Sequence, residues 1–351
     1  MKSSSRRHAF AGSAPDHSGR KGKDLGSWVA SLKSGLALAA GSLALLQVFP
    51  VKAQETEVPP GPITVIIPTA VGGNPDIVTR VIGNAIADSL GRPILVEPKL
   101  GAAGLVAAQY VAKARPDGQT LLLVTGAHPI LPAIHKNAGF DAVSDFAFIS
   151  TLTLFPFVIS VRADHPAQSF QDLIALSKQN PGKYAFTSTG VGSTLHLTGE
   201  LINRAFNVDW RHVPYKGGTT ALGDVVSGRV DISIETPAVA QSFVQGGRIR
   251  PLAVSSAGAS PLLPAVPGIG QFSPGFDVNS YLGVAAPART PAAIVRRLNR
   301  EIVAAMGQEL IRQRLSVAGT PHSSTPEEFT ALVTRDFERW SKLVPSLKLE
   351  Q

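Results

Sequence analysis

The 351-residue chain contains no cysteine. That excludes disulfides, thiol nucleophiles, thiolate metal sites and a lipid anchor on an amino-terminal cysteine. Familiar catalytic signatures are missing too. There is no G-x-S-x-G nucleophile elbow and no G-x-x-x-x-G-K-[ST] phosphate loop. The run beginning at Gly190 fails the dinucleotide fingerprint, because Leu195 stands where its third glycine belongs. The histidines are scattered, without the H-x-x-x-H spacing of a helical metal site. No dense basic stripe interleaved with aromatics marks a nucleic-acid surface.

The formal charge of +8 does not contradict this. Residues 1–53 hold eight Lys and Arg against two acids, so they carry six of the eight net charges and leave two for the remainder. That segment reads as a secretory signal peptide. It is basic and Ser/Gly-rich up to Lys33, apolar from Gly35 to Phe49, and ends in Val51-Lys52-Ala53 with small residues where a signal peptidase acts. The apolar run is short for a membrane span of about 20 residues. Arg6-Arg7 makes a poor twin-arginine signal. Cleavage after Ala53 and export are the expectation.

What the remainder does have is one device used repeatedly: an apolar strand, a glycine turn and a helix start. Ile63 to Ile67 reads as a buried parallel strand. Thr69-Ala70-Val71-Gly72-Gly73-Asn74-Pro75-Asp76 follows, then a helical face of Ile77, Val78, Val81, Ile82, Ala85, Ile86 and Leu90. Asn74 is the expected N-cap, with Pro75 at the first helical position. Unpaired N–H groups and the helix dipole make such a turn an anion site. The same device recurs at Tyr184 to Thr189, Gly190 to Ser193 and a helix bearing Leu195, Leu197, Leu201, Ile202 and Phe206. A third glycine turn, Tyr215-Lys216-Gly217-Gly218, precedes a helix with Ala221, Leu222, Val225 and Val226 inward. Gly101 to Gly104 is expected to open a small-residue helix, and Phe146 to Val161 to run from one domain into the next. Alternating strands and helices imply parallel α/β sheets.

The candidate ligand-binding residues are Thr69, Ala70, Gly72, Gly73 and Asp76 of the first turn. Ser188, Thr189, Gly190, Gly192 and Ser193 supply the second, Tyr215 and Lys216 the third, and Tyr281 a late strand. Strand ends of open α/β sheets are where ligands bind, and neutral backbone donors suit the capture and release of a carboxylate. Several residues have two readings. Asp76 either orders its loop by accepting N–H bonds or is a plain first-turn acid. Ser193 is an N-cap, a ligand contact, or both, and His196 inside its helix reads as a structural hydrogen-bonder rather than a base. Lys216 is an exposed lysine or an anion partner; Tyr281 lines the cleft or packs.

The motifs Pro68 to Asp76 (P-x-x-x-GG-x-x-D), Gly101-Ala102-Ala103-Gly104, Pro116 to Thr120, Ser188 to Ser193 with His196, Val213 to Gly217, Leu252-Ala253-Val254 and Ala286 to Pro291 follow one another in a specific order. In them the chain resembles the Bug/TctC solute receptors of tripartite tricarboxylate transporters, over nearly all of residues 60–345. The resemblance implies a two-domain α/β periplasmic binding protein (type II, Venus flytrap), each domain a mostly parallel sheet flanked by helices. The domains would be 54–156 plus 281–351, and 157–280. It further implies a monomer, not an enzyme and without cofactor or metal. Such a receptor binds a small organic (di)carboxylate and delivers it to membrane permease subunits. A receptor feeding a sensor kinase would use the same cleft. A secreted hydrolase pairing Ser193 or Ser188 with His196 is the remote competitor, with no third orienting residue in view. The chain departs from the family at Pro98 to Gly101, at Gly126 to Pro129 and at Tyr281, where Trp is frequent, which leaves the ligand open.

Overall fold

A computed structural model of the chain describes residues 58–135 and 137–347; the signal-peptide reading of residues 1–53 lies outside them. The chain opens with β1 (Ile63–Ile67), α1 (Asn74–Leu90), β2 (Ile94–Pro98), α2 (Leu105–Ala112), β3 (Thr120–Thr125), the short α3 (Leu131–Ile134) and β4 (Phe146–Pro156). It continues through β5 (Val158–Arg162), α4 (Phe170–Gln179), β6 (Ala185–Ser188), α5 (Thr194–Phe206), β7 (Arg211–Pro214), α6 (Gly218–Val226), β8 (Ile232–Glu235), α7 (Pro237–Gln245) and β9 (Ile249–Val254). It closes with β10 (Asn279–Pro287), α8 (Ala292–Met306), α9 (Glu309–Ser316), β11 (Thr320–Pro321) and α10 (Pro326–Leu343). No helix among the described residues is long and apolar enough to cross a membrane.

These strands form two sheets, one of order β11-β4-β10-β3-β1-β2 and one of order β7-β6-β8-β5-β9. Both are mixed rather than mostly parallel in their pairing. In the first, β1, β2, β3 and β4 run one way, and β10 lies antiparallel between β3 and β4. In the second, β6, β7, β8 and β9 run one way, and β5 lies antiparallel between β8 and β9. Apart from β11, which adds an antiparallel edge to β4 in the first sheet, the two orders are therefore the same, second-first-third-inserted-fourth, and each inserted strand arrives from the other lobe. Alternation in the sequence predicts parallel pairs but does not reveal the inserted strand, which is distant in the chain.

The chain crosses between the sheets at Phe157 and again between Ser255 and Val278. Ser255, fully buried, fastens the crossings together. Its Oγ accepts the Phe157 N–H at 2.8 Å and donates to the Val278 carbonyl at 2.5 Å, while its backbone pairs with both residues.

Helix α1 illustrates how the local pattern becomes packing. Val78, Ile82 and Ile86 recur on one face, are buried, and join the large core shared with β1, β3 and α8. Each such side chain stabilises the fold by roughly 1.5–3 kcal/mol. Gly91 in the left-handed conformation ends the helix, its N–H on the Asp88 carbonyl and that of Arg92 on the Ala87 carbonyl. The last helix, α10, opens with the expected capping box: Thr325 Oγ1 accepts the Glu328 N–H and Glu328 Oε2 accepts the Thr325 N–H. It plants Phe329 against the outer face of the first sheet, edge-on to Phe148 at 5.1 Å and to Tyr281 at 5.7 Å.

Two turns differ from expectation. Gly101 to Gly104 does not begin a helix: all four residues have positive φ, including Ala102 (44°) and Ala103 (55°), and α2 starts only at Leu105. Left-handed alanine costs about 1–2 kcal/mol per residue. Asn74 is not the N-cap of α1; Gly73 is, and the Asn74 Nδ2 instead donates to the Ala318 carbonyl at 2.9 Å, tying the turn to the segment after α9.

Phe329 leaves no room for a side chain on the strand beneath it. A Cβ on Gly283 would lie 2.3 Å from its ring and 2.8 Å from the Ser150 carbonyl. Gly283→Ala is expected to lower the unfolding free energy by about 1–3 kcal/mol in urea titration. Gly223→Ala, on an open face of α6, is expected to raise it by up to about 1 kcal/mol.

Candidate ligand-binding site

Six strand ends converge on one cavity of about 1360 Å³. The first lobe contributes the turns after β1, β2 and β3, and the second those after β6, β7 and β8. Phe155, Phe157, Ser280 and Leu282, from the crossing strands, also line it.

The turns after β1 and β6 are built alike. Thr69-Ala70-Val71-Gly72-Gly73-Asn74-Pro75-Asp76 and Thr189-Gly190-Val191-Gly192-Ser193-Thr194-Leu195-His196 correspond position by position. Gly72 and Gly192 both turn left-handed, at φ 83° and 82°, where any side chain would be strained. Each then donates its N–H to the side chain four residues on, in the first turn of the following helix: Gly72 to Asp76 Oδ2 at 3.0 Å, Gly192 to His196 Nδ1 at 3.1 Å. Asp76 is thus the loop-ordering acid, its other oxygen taken by Arg80 Nε at 2.8 Å. His196 is a hydrogen-bonder, as expected. The N–H groups of Gly72 and Gly192 are spent on fixing the loops. Those of Ala70, Val71 and Asn74 on one side, and Thr189, Val191, Thr194 and Leu195 on the other, have no partner among the described residues, and all seven residues line the cavity. The buried hydroxyl of Thr69 likewise has no partner there. Neutral donors from both lobes therefore surround one space, which is the chemistry of an anion site.

Thr69, Ala70, Gly72, Gly73, Thr189, Gly190, Ser193, Tyr215 and Lys216 line the cavity; Asp76, Ser188, Gly192 and Tyr281 do not. Asp76 and Gly192 act one layer behind, through the tethers just described. Ser193 caps α5, its Oγ accepting the His196 N–H at 3.2 Å. Ser188 is buried below its loop, where its Oγ accepts the Gly190 N–H at 3.0 Å and sits 2.6 Å from His212 Nε2. Neither serine hydroxyl is hydrogen-bonded to the His196 ring, so the hydrolase arrangement is not made. Tyr281 is a correction. Along a strand successive side chains face opposite ways; Ser280 and Leu282 face the cavity, and Tyr281 packs on Phe329 in the outer layer. Burial pushes its hydroxyl well above the usual tyrosine range. Tyr215 keeps its ring at the cavity, while its hydroxyl donates to Asp224 Oδ2 at 2.7 Å and, chiefly through burial, is raised to about 12. Lys216 is exposed.

Three contributors escape a reading of the sequence. Gly101 to Ala103 line the cavity in a left-handed turn that alanine does not advertise. Glu235, at the end of β8, is a buried acid on the cavity wall. His212, on β7, stacks on His196 with ring centroids 3.7 Å apart, and Phe186 lies beside both rings, 5.2 Å from His212 and 6.3 Å from His196. The parallel register that sets Phe186 against His212 brings the imidazole under the loop; spacing in the sequence contains no trace of it. Burial holds His196 at about 3, with His212 a lesser cause, and holds His212 at about 4.

The family model described as "Tripartite tricarboxylate transporter family receptor" matches residues 78–349. A Pseudomonas sp. protein encoded in a tcbD-tcbE intergenic region is 33% identical over 294 residues, covering 83% of this chain and 88% of that one. Among solved structures, the periplasmic binding protein BugD is 28% identical with a TM-score of 0.77, covering 83% of this chain and 99% of that one. A Rhodopseudomonas palustris protein solved with adipate is 30% identical with a TM-score of 0.78, covering 82% and 98%. MatC from the same organism, solved with bound malate, is 30% identical with a TM-score of 0.75, covering 82% and 99%.

The stacked pair gives a pH prediction. Imidazoles held below their unfolded value of about 6.5 contribute stability that is complete above that value and is lost as pH falls through about 4 and then 3. The stability of the native protein relative to a His212→Gln variant should therefore shrink by up to about 1.4 kcal/mol per pH unit between pH 6.5 and 4. A difference that stays constant across that range in urea titrations would show that His212 is not buried neutral.

Proposed function

The chain belongs to the tripartite tricarboxylate transporter receptor family, and we propose that within it this protein is a periplasmic receptor for a small dicarboxylate. It is a binding protein, not an enzyme. Unpartnered backbone donors from both lobes around one cavity carry this reading, because an acid with a carboxylate at each end could be held by the two turns at once. Relatives solved with adipate and malate support a short aliphatic chain between the carboxylates. With Lys216 exposed and the first turns uncharged apart from the tethered Asp76, recognition rests on dipoles, which favours reversible capture. The two lobes, 54–156 with 281–351 and 157–280, close over the acid by bending at the crossings near Phe157 and Ser255. The loaded monomer then docks on membrane permease subunits. Release into the periplasm follows removal of residues 1–53.

Succinate, malate, glutarate and adipate should be tried first in a thermal-denaturation panel. The acid that fits stabilises by about 2.7 kcal/mol at a hundredfold excess over Kd, a rise in Tm of several degrees for a chain of this size. Indifference to every di-, tri- and aromatic carboxylate would defeat the proposal. Amino-terminal sequencing of protein recovered from the periplasm should begin at Gln54; a start at Met1 would refute the cleavage.

A further inference from the structure

We propose that Glu235 is a ligand-binding acid that takes up a proton on Oε2 as a carboxylate enters the cleft and, keeping it, donates a hydrogen bond to a ligand oxygen. The inference rests on the carboxylate reading above.

Glu235 closes β8, is 4% exposed and lies on the cavity wall. Its two oxygens are not equivalent. Oε1 accepts the Thr236 N–H at 2.7 Å. Oε2 has no hydrogen-bond partner outside Thr236 among the described residues and lies against the start of α6, where a Cβ on Gly218 would fall 1.9 Å from it. No cation among the described residues pairs with it; the only Lys or Arg among the described lining residues is Lys216, which is exposed. A buried carboxylate whose donors all come from one residue, Thr236, and which has no counter-ion is costly to keep ionised. Burial accordingly pushes Glu235 up to about 7, against the downward pull of its Thr236 hydrogen bonds.

The titratable groups on the surrounding elements do not offset this. They are His196 on α5, His212 on β7, Lys216 and the Tyr215–Asp224–Arg229 group around α6, Asp231 before β8 and Arg162 at the far end of β5; none is among the causes of the Glu235 shift. A ligand carboxylate in the same water-poor space adds repulsion between like charges, and two carboxylates sharing a site do not both stay ionised. Entry of the ligand therefore drives a proton from solvent onto Oε2, the oxygen that the Thr236 N–H leaves open. The bond formed is one O–H, and the new acid supplies a hydrogen bond where an ionised oxygen would repel.

The test uses succinate, glutarate and adipate as probes between about pH 7.5 and 9, where all three are fully ionised. Calorimetry in two buffers of different ionisation enthalpy should show uptake approaching one proton per acid bound. Kd should weaken toward about tenfold per pH unit, the limit for one linked proton. In a Glu235→Gln variant, whose amide keeps a donor at that point, uptake should vanish and Kd should stay flat. Binding with no proton uptake would overturn the inference while leaving the carboxylate reading standing. Proton release would overturn it too, and would indicate a ligand ammonium facing an ionised Glu235. Failure of all three probes and of the wider carboxylate panel would remove both readings. Should the variant not fold, the two-buffer measurement on the native protein decides alone.

Discussion

The cavity lining depends on a hydrogen bond one layer behind it: a left-handed glycine N–H held by the side chain four residues ahead. In the first lobe the acceptor is Asp76, in the second His196. Each bond spans the junction between a mobile type of structure, the glycine turn, and a rigid one, the first helical turn. It converts a sequence whose entropy favours many conformations into one in which the remaining amides are set before a ligand arrives. Preorganised dipoles require no rearrangement at binding and leave no charge stranded when the cleft empties.

That the acceptors differ has consequences for their surroundings. Asp76 is a charge, and the chain supplies Arg80 to meet it. His196 must stay neutral at Nδ1 to accept a hydrogen bond. The second lobe therefore packs it in the interior, under Phe186 and against His212, where protonation is disfavoured twice over, by burial and by the neighbouring ring. One geometric task has been solved with an ion pair at one lobe and with desolvation at the other.

The same duality runs through the architecture. Five strands of each sheet share one order, and each sheet borrows its inserted antiparallel strand from the chain's passage to the other lobe. The crossings therefore cannot be cut away from either core. Ser255 binds them into a single fully buried knot. The cavity lies over this knot, so the residues that join the lobes also line the cavity between them.

Periodicity and glycine placement in the sequence determined most of the elements and the form of the first two glycine turns, because strand, turn and helix-start signals are local; the ordered motifs pointed to the family. Ser193 as a cap and His196 as a hydrogen-bonder were legible for the same reason. Only the tertiary structure decided what depends on register and on distant chain. It turned Tyr281 away from the cleft by strand alternation, and it inserted β10 and β5 antiparallel into sheets that otherwise read as parallel. It also slid His212 beneath a loop twenty residues away and left Glu235 buried without a cation. Asn74 shows the boundary: its composition suits a cap, but a carbonyl 244 positions later claimed its side chain. Local chemistry proposes a partner; the fold decides which partner is within three ångströms.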